Sequence, residues 1–438
     1  MQAKKADAAN DRRWSAVSAP ISATIERNPM QPIKVNRARL KEAMDNISAV
    51  GATPRGGLHR LALGDKDKEA RDMLRDWCEQ AGYPMRVDRI GNMYARRAGR
   101  DESELPVLIG SHLDSQPMAG RFDGPVGVIA ALEVMKTLDD HGIATDRPID
   151  LVNWTNEEGA RFQPPLLASG VFAGAYELDY ALSRQDSEGV SVASELERIG
   201  YAGTHAAGFP ISSYIELHIE QGVVLEQANT TIGVVSGFVG IRDTRVSVLG
   251  ENVHAGPLPM HLRKDALVGA AKMVLAAQEI GLAHTPDARV TVGRLSVPSD
   301  SHSIVPGRVD LVLDVRHPDA ASLDALQAKL EGRFREIAAE HGLSVEFEPY
   351  WNYAPIVFDP KVREYIRTAA NLHGYSSLDL PSRAGHDALN IAKVAPTAMI
   401  FIPCLKGISH NESEFATDED IAAGADILLA AALAAATK

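Results

Sequence analysis

The chain has 438 residues and 45% apolar content, enough for two or three packed domains of roughly 150 residues each. Its 45 Lys and Arg against 58 Asp and Glu leave a net charge of −13, which argues against nucleic acid and anionic membranes as partners. Two cysteines, Cys78 and Cys404, are too few for a disulfide framework and point to a reducing cytoplasm.

Residues 1–26 are expected to form a loosely ordered extension. The opening MQAKKADAANDRRWSAVSAP carries charges but no apolar core of the kind a signal peptide needs. Apolar spacing predicts helices over 37–48 and 66–81, the second ending on Gly82. A strand pattern follows in MRVDRIGNMYARRAG. LPVLIGSHLDS is a short apolar run with a polar end, as expected of a buried strand whose carboxyl end carries function. GPVGVIAALEVMKTLDDHG reads as a helix; RPIDLVNWTNEEG and SSYIELHIEQG read as further buried strands. Strands alternating with helices imply an α/β sheet covered on both faces.

The texture changes near residue 236. TTIGVVSGFVGIRDTRVSVLGENVHAG reads as a hairpin around a Gly-rich turn. A helix (RKDALVGAAKMVLAAQEIG), two strands (RVTVGRLSV, GRVDLVLDVRH), a helix (SLDALQAKLEGRFREIAAEHG) and a strand (LSVEFEPYWN) follow. The order β-α-β-β-α-β predicts a separate ferredoxin-like α+β layer. From Asp359 the α/β texture returns, so one domain is inserted into another: 27–236 and 350–438 flank 237–349. The closing ADILLAAALAAATK is apolar but short, and reads as a buried helix, not a membrane span.

Polar residues gather at the predicted strand ends. The first run ends in Ser111-His112-Leu113-Asp114, the next turn holds Asp123 in GRFDGPVG, and the second run ends in Glu157-Glu158. The third carries His218 in ELHIEQG, and GISHNESE offers His410. Singly, a histidine here is more often a hydrogen-bonded structural residue, Asp123 a turn former, and the Glu pair two solvated carboxylates. Together, two Asp or Glu and three histidines at one sheet edge form a plausible set for two metal ions, with a carboxylate able to bridge them.

GSHLDS, GRFDGPVGV, NEEGARF, HIEQG, HAGPLPMHLRKDAL, AGHDA and GISHNESE together resemble the hydantoinase/carbamoylase branch of the M20 metallopeptidase-like amidohydrolases. That branch holds N-carbamoyl-L-amino acid hydrolases, β-ureidopropionases and allantoate amidohydrolases. The resemblance runs from about residue 37 to the end. It implies a metallopeptidase-like catalytic domain, with the inserted layer serving as lid and dimerisation surface. It implies one metal on His112, Asp123 and His218 and a second on Asp123, Glu158 and His410. Glu157 is then the general base, with Asp114 orienting His112. His254 in NVHAG would stabilise the oxyanion, commonly from the partner subunit. Substrate contacts fall on Gln221, on Arg316 in LDVRHP, which suits a carboxylate, and on the positions of Ser303 and Arg383. At those last two positions the chain departs from the family pattern. Ser303 stands where an asparagine is usual, and Arg383 replaces the first glycine of Ser-Gly-Ala-Gly. If Arg383 enters the pocket, it favours a second acidic arm on the substrate; the alternative is that it points to solvent or pairs with a nearby acid.

The expected activity is hydrolysis of a linear C–N amide bond in an N-carbamoyl (ureido) amino acid or related small acid, releasing ammonia and carbon dioxide. The expected cofactors are two divalent ions, zinc, manganese, cobalt or nickel. The expected assembly is a homodimer. Hydrolysis of an N-acyl amino acid or dipeptide is the alternative among enzymes, and a metal-binding sensor without turnover is the alternative outside them.

Overall fold

The computed structural model describes residues 32–299 and 301–438; the expectation for residues 1–26 lies outside them. Strands β1 (Met85–Val87), β2 (Met93–Arg97), β3 (Val107–His112), β4 (Ile149–Trp154), β5 (Ser213–Ile219) and β6 (Ile232–Phe238) come first. An inserted segment carries β7 (Gly240–Leu249), β8 (Val253–His254), β9 (Arg289–Ser296), β10 (Ile304–Val305), β11 (Arg308–His317) and β12 (Ser344–Tyr353). The chain then returns through β13 (Ile356–Val357), β14 (Ser377–Ser382) and β15 (Thr397–Ile402).

The main sheet is mixed, in the order β1-β2-β4-β3-β5-β15-β6-β13, with β14 also on β6. Its centre, β4-β3-β5-β15, is parallel throughout. These four strands are buried along their whole length, which is why they read as continuous apolar runs and not as alternating ones. Helices Pro125–Asp140 and Asp418–Ala436 pack against β3 and β5. Their Val128, Leu132, Leu428 and Leu429 join a core with Ile109, Ile215 and Ile400. Each such side chain, fully buried, contributes about 1.5–3 kcal/mol. Because the central strands run the same way, their carboxyl ends meet at one edge, where α/β sheets place ligands.

The inserted segment forms its own four-stranded antiparallel sheet, β12-β7-β11-β9, with helices Ala266–Ala283 and Ala320–Glu340. Val246, Val248, Leu311 and Leu313 from the strands meet Met273, Leu330 and Phe334 from the helices in a separate core. This is the expected ferredoxin-like order. The helix Ala266–Ala283 is long and apolar enough to cross a membrane by length and composition, yet it packs one face on this sheet. One sequence expectation fails here: β6 and β7 are not a hairpin. β6 pairs with β13, β14 and β15 in the main sheet, while β7 pairs with β11 and β12. Only Val239 separates them, and its N–H donates to the Ser382 carbonyl, so the chain passes straight from one sheet to the other.

Candidate active site

Asp123 is the centre of the sheet-edge cluster. It precedes the helix Pro125–Asp140 through Gly124, whose φ of 84° suits glycine. A Cβ at Gly124 would stand 2.4 Å from the His112 ring, so the turn can bring Asp123 close only without one. His218 Nε2 lies 3.1 Å from Asp123 Oδ1, and His112 Nε2 lies 3.7 Å from the same atom. His410 Nε2 lies 3.3 Å from the other oxygen, Oδ2, and 3.4 Å from Glu158 Oε2. The ligand-type atoms thus form two groups sharing Asp123: His112, Asp123, His218 and Asp123, Glu158, His410. Glu157 belongs to neither group, but its Oε2 is 3.6 Å from His112 Nε2.

The donor set fits cations. The Nδ1 atoms of His112 and His218 are each 2.9 Å from a backbone carbonyl, of Asp114 and Ile219 respectively. Nδ1–H therefore donates, and Nε2 presents a lone pair. Both Nε2 atoms are buried without a hydrogen-bond partner and face a carboxylate. Acceptor facing acceptor is repulsive unless a cation or proton lies between. Burial lowers His112 to about 4, favouring the neutral, ligating form. Burial also lowers His218, but closeness to Asp123 outweighs it and lifts it to about 9, so that without a cation a proton fills the 3.1 Å gap between His218 Nε2 and Asp123 Oδ1. Burial first, then Asp387, Glu158 and Asp123, raise Glu157 well above the usual carboxylate range. Burial and Asp123 push Glu158 up to about 8. Carboxylates this crowded are stabilised in their charged form by divalent ions. Nitrogen and oxygen ligands without sulfur suit zinc, manganese, cobalt or nickel.

Residues that the sequence reading did not single out hold the cluster. Gln116 Nε2 donates to Glu158 Oε2 at 2.9 Å. Ser409 Oγ lies 2.8 Å from Asp123 Oδ2 and 2.8 Å from Glu414 Oε2. Glu414 accepts the backbone N–H groups of Phe122 and Asp123 at 2.9 and 3.1 Å. Glu216, on the same face of β5 as His218, accepts the Ser111 hydroxyl at 2.7 Å. All sit inside or beside the quoted motifs, which was the only available signal. Asn156, Gln221 and His410 adopt left-handed φ values of 57°, 54° and 53°. Such conformations cost about 1–3 kcal/mol each and gather at functional sites.

A cavity of about 200 Å³ opens on the cluster. Asp123, Glu157, Glu158 and His410 line it, together with Arg316, Arg383 and an apolar wall that includes Leu166, Ile241, Trp351 and Leu389. Two expectations for this region, for Asp114 and Arg383, need correction. Asp114 meets His112 through its backbone carbonyl; its carboxylate instead accepts the N–H groups of Glu157 and Glu158, each at 3.3 Å. Gln221 lines the same cavity, and its amide Nε2 donates to Asp123 Oδ2 at 2.6 Å and Ser409 Oγ at 3.1 Å. Arg383 sends its guanidinium out to the inserted domain, onto the carbonyls of Asp287 at 2.8 Å and Pro286 at 3.3 Å, because those oxygens lie within its reach. Two of its N–H groups are thereby engaged by neutral carbonyls of the inserted domain.

His254 and Ser303 do not join the cluster within one chain. They sit side by side on the exposed β8–β10 ladder, where Ile304 pairs with His254 and the Ala255 N–H donates to the Ser303 carbonyl. Neither lines the cavity.

Residues 108–434 match a family model described as peptidase family M20/M25/M40. The chain is 43% identical to an N-carbamoyl-L-amino-acid amidohydrolase of Rhizobium meliloti over 406 residues, 92% of this chain and 98% of the relative. It is 31% identical to a ureidoglycolate hydrolase of Arabidopsis thaliana, covering 92% of this chain and 87% of that one. The crystal structure of an amidase of the hydantoinase/carbamoylase family from Burkholderia multivorans superposes with a TM-score of 0.89 at 48% identity, covering 93% of this chain and 99% of that one.

Proposed function

The chain belongs to the metal-dependent peptidase family M20/M25/M40, as an amidohydrolase of the hydantoinase/carbamoylase branch, and on that footing we propose that it hydrolyses N-carbamoyl amino acids. One observation supports this reading most: Asp123 divides its two oxygens between two ligand groups while Glu157, beside both, remains outside them. Divalent cations held there would supply Lewis acidity at neutral pH. Glu157 takes the proton of the attacking water and returns it to the departing nitrogen. The ureido carbon is the electrophile, and the products are the amino acid, ammonia and carbon dioxide.

Arg316 binds the substrate's carboxylate. Its Nε and Nη2 already donate to Asp314 at 3.0 and 2.8 Å, and its Nη1 to the Arg383 carbonyl at 2.8 Å. Five N–H groups are available, so one on Nη1 and one on Nη2 are left as a fork for a second carboxylate. The apolar wall around Trp351 receives the amino acid side chain. His254 and Ser303 reach the site from a second copy, across a dimer interface on the helix Ala266–Ala283. On that helix Val268, Leu275 and Leu282 recur every seven residues and are 44%, 59% and 65% exposed.

The test is ammonia release by cation-loaded protein from a panel of N-carbamoyl L-amino acids, β-ureido acids, ureidoglycolate and N-acetyl amino acids. Release confined to ureido substrates supports the reading. Hydrolysis of N-acetyl amino acids alone would replace it with an aminoacylase activity.

A further inference from the structure

Resting on the reading that Arg316 receives the substrate's carboxylate, we infer that Arg383 is a positioning residue that fixes Arg316 through a closed ring of hydrogen bonds between the two domains. The ring begins on β11. There the Arg316 guanidinium is held along one edge by Asp314, and its Nη1 donates to the backbone carbonyl of Arg383 at 2.8 Å. Residue 383 follows β14 of the main sheet. Its own side chain crosses back to the inserted domain and donates to the carbonyls of Asp287 and Pro286. Those two residues lead into β9, and in the β9–β11 ladder Arg289 is the register partner of Arg316. Arg316 therefore holds the backbone at 383, the side chain at 383 holds the backbone at 286–287, and strand pairing returns to Arg316.

Each link has a distinct job. Asp314 sets the guanidinium plane, and the Arg383 carbonyl sets its rotation. The Arg383 side chain keeps that carbonyl in place against movement of one domain over the other. The tie forms beside a like charge, since burial first and then Arg289 disfavour the Arg383 cation, with Asp287 only partly offsetting them. A guanidinium placed there against such opposition has its carbonyl partners as the compensation. A glycine at 383 would keep the acceptor for Arg316 but lose the crossing. A fork that binds a carboxylate bidentately must be held to within about 10–20° of its productive angle, so the loss falls on carboxylate recognition.

The experiment compares wild type, Arg383→Gly and Arg383→Lys on an N-carbamoyl amino acid and on its neutral carboxamide, measuring KM and kcat for each. In Arg383→Gly the KM for the acid is expected to rise about tenfold, equivalent to about 1.4 kcal/mol, with kcat within about twofold. The carboxamide's constants should stay within about twofold, so the preference for acid over carboxamide falls. Arg383→Lys, with one cationic donor still able to reach a carbonyl, should recover part of that preference. Equal losses on both substrates, or an unchanged preference, would overturn the inference and leave Arg383 as a packing residue. A crystal structure of Arg383→Gly with the Arg316 guanidinium unmoved would overturn it without reference to turnover. Wild type that hydrolyses neither compound overturns the functional reading itself.

Discussion

Asp114 and Glu157 are joined by a hydrogen bond of 3.3 Å, from the backbone N–H of Glu157 to Asp114 Oδ1. Oδ2 of the same carboxylate takes the N–H of Glu158, and the Asp114 carbonyl holds His112 Nδ1. One residue thus sets a ligand on β3 and both glutamates beyond β4. Asp114→Asn turns one acceptor oxygen into a donor facing an N–H group. Losses in metal affinity or turnover of about 10- to 100-fold are expected, the range for residues that orient metal ligands. Metal titration and steady-state rates check this. A variant with wild-type affinity and rate would remove Asp114 from that role.

Removing the cations should destabilise the protein. Chelation leaves Asp123, Glu157 and Glu158 crowded, and leaves His112 Nε2 and His218 Nε2 buried without partners. Ligand that binds only the folded state adds about 2.7 kcal/mol at a hundredfold excess over its Kd. Differential scanning calorimetry should therefore show Tm rising with added zinc or manganese. A Tm insensitive to both ions would count against the two groups as metal sites.

Trp351 bounds the cavity on its apolar side. Trp351→Ala should lower kcat/KM for N-carbamoyl amino acids with large apolar side chains by about 10-fold or more, since one lost aromatic contact surface is worth over a kilocalorie. Rates on N-carbamoylglycine should change little. A uniform fall across the series would move the side-chain pocket elsewhere.

How much of this was legible in the sequence depends on the distance over which each residue acts. The buried runs of β3, β4 and β5, each with polar residues at its carboxyl end, place His112, Glu158 and His218 at one edge once the strands are taken as parallel, whereas His410 comes from the loop after β15. The contacts that hold them are non-local. Gln116 reaches Glu158 across 42 positions, and Ser409 reaches Asp123 across 286. No local pattern encodes such pairs. Arg383 shows the limit most plainly. Its charge is legible, but its direction depends on where the turn at 286–287 lies in the other domain. The β6–β7 segment misleads for a related reason: two strands with glycines between them look like a hairpin unless each one's partners are known.

Assembly gives an independent prediction. Leu275→Glu with Leu282→Glu should convert a dimer to a monomer, read by light scattering at micromolar concentration, because both side chains lie on the exposed stripe of the helix Ala266–Ala283. If His254 acts across that interface, the monomer should lose most of its activity. Mixing it with a dimerisation-competent His254→Ala protein should then leave activity low. A fully active monomer would remove both the interface and the trans role.

The division of labour between the two adjacent glutamates is tested most directly by counting metal ions and measuring ammonia release in the same samples of wild type, Glu157→Gln and Glu158→Gln. Glu157 is predicted to act on protons alone. Glu157→Gln should then keep two ions per chain while losing about 10²–10⁴-fold in turnover, the scale of a lost general base. Glu158→Gln should retain less metal, because Glu158 Oε2 stands 3.4 Å from His410 Nε2 in the second ligand group. Equal metal loss in both variants, or undiminished turnover in Glu157→Gln, would contradict the account.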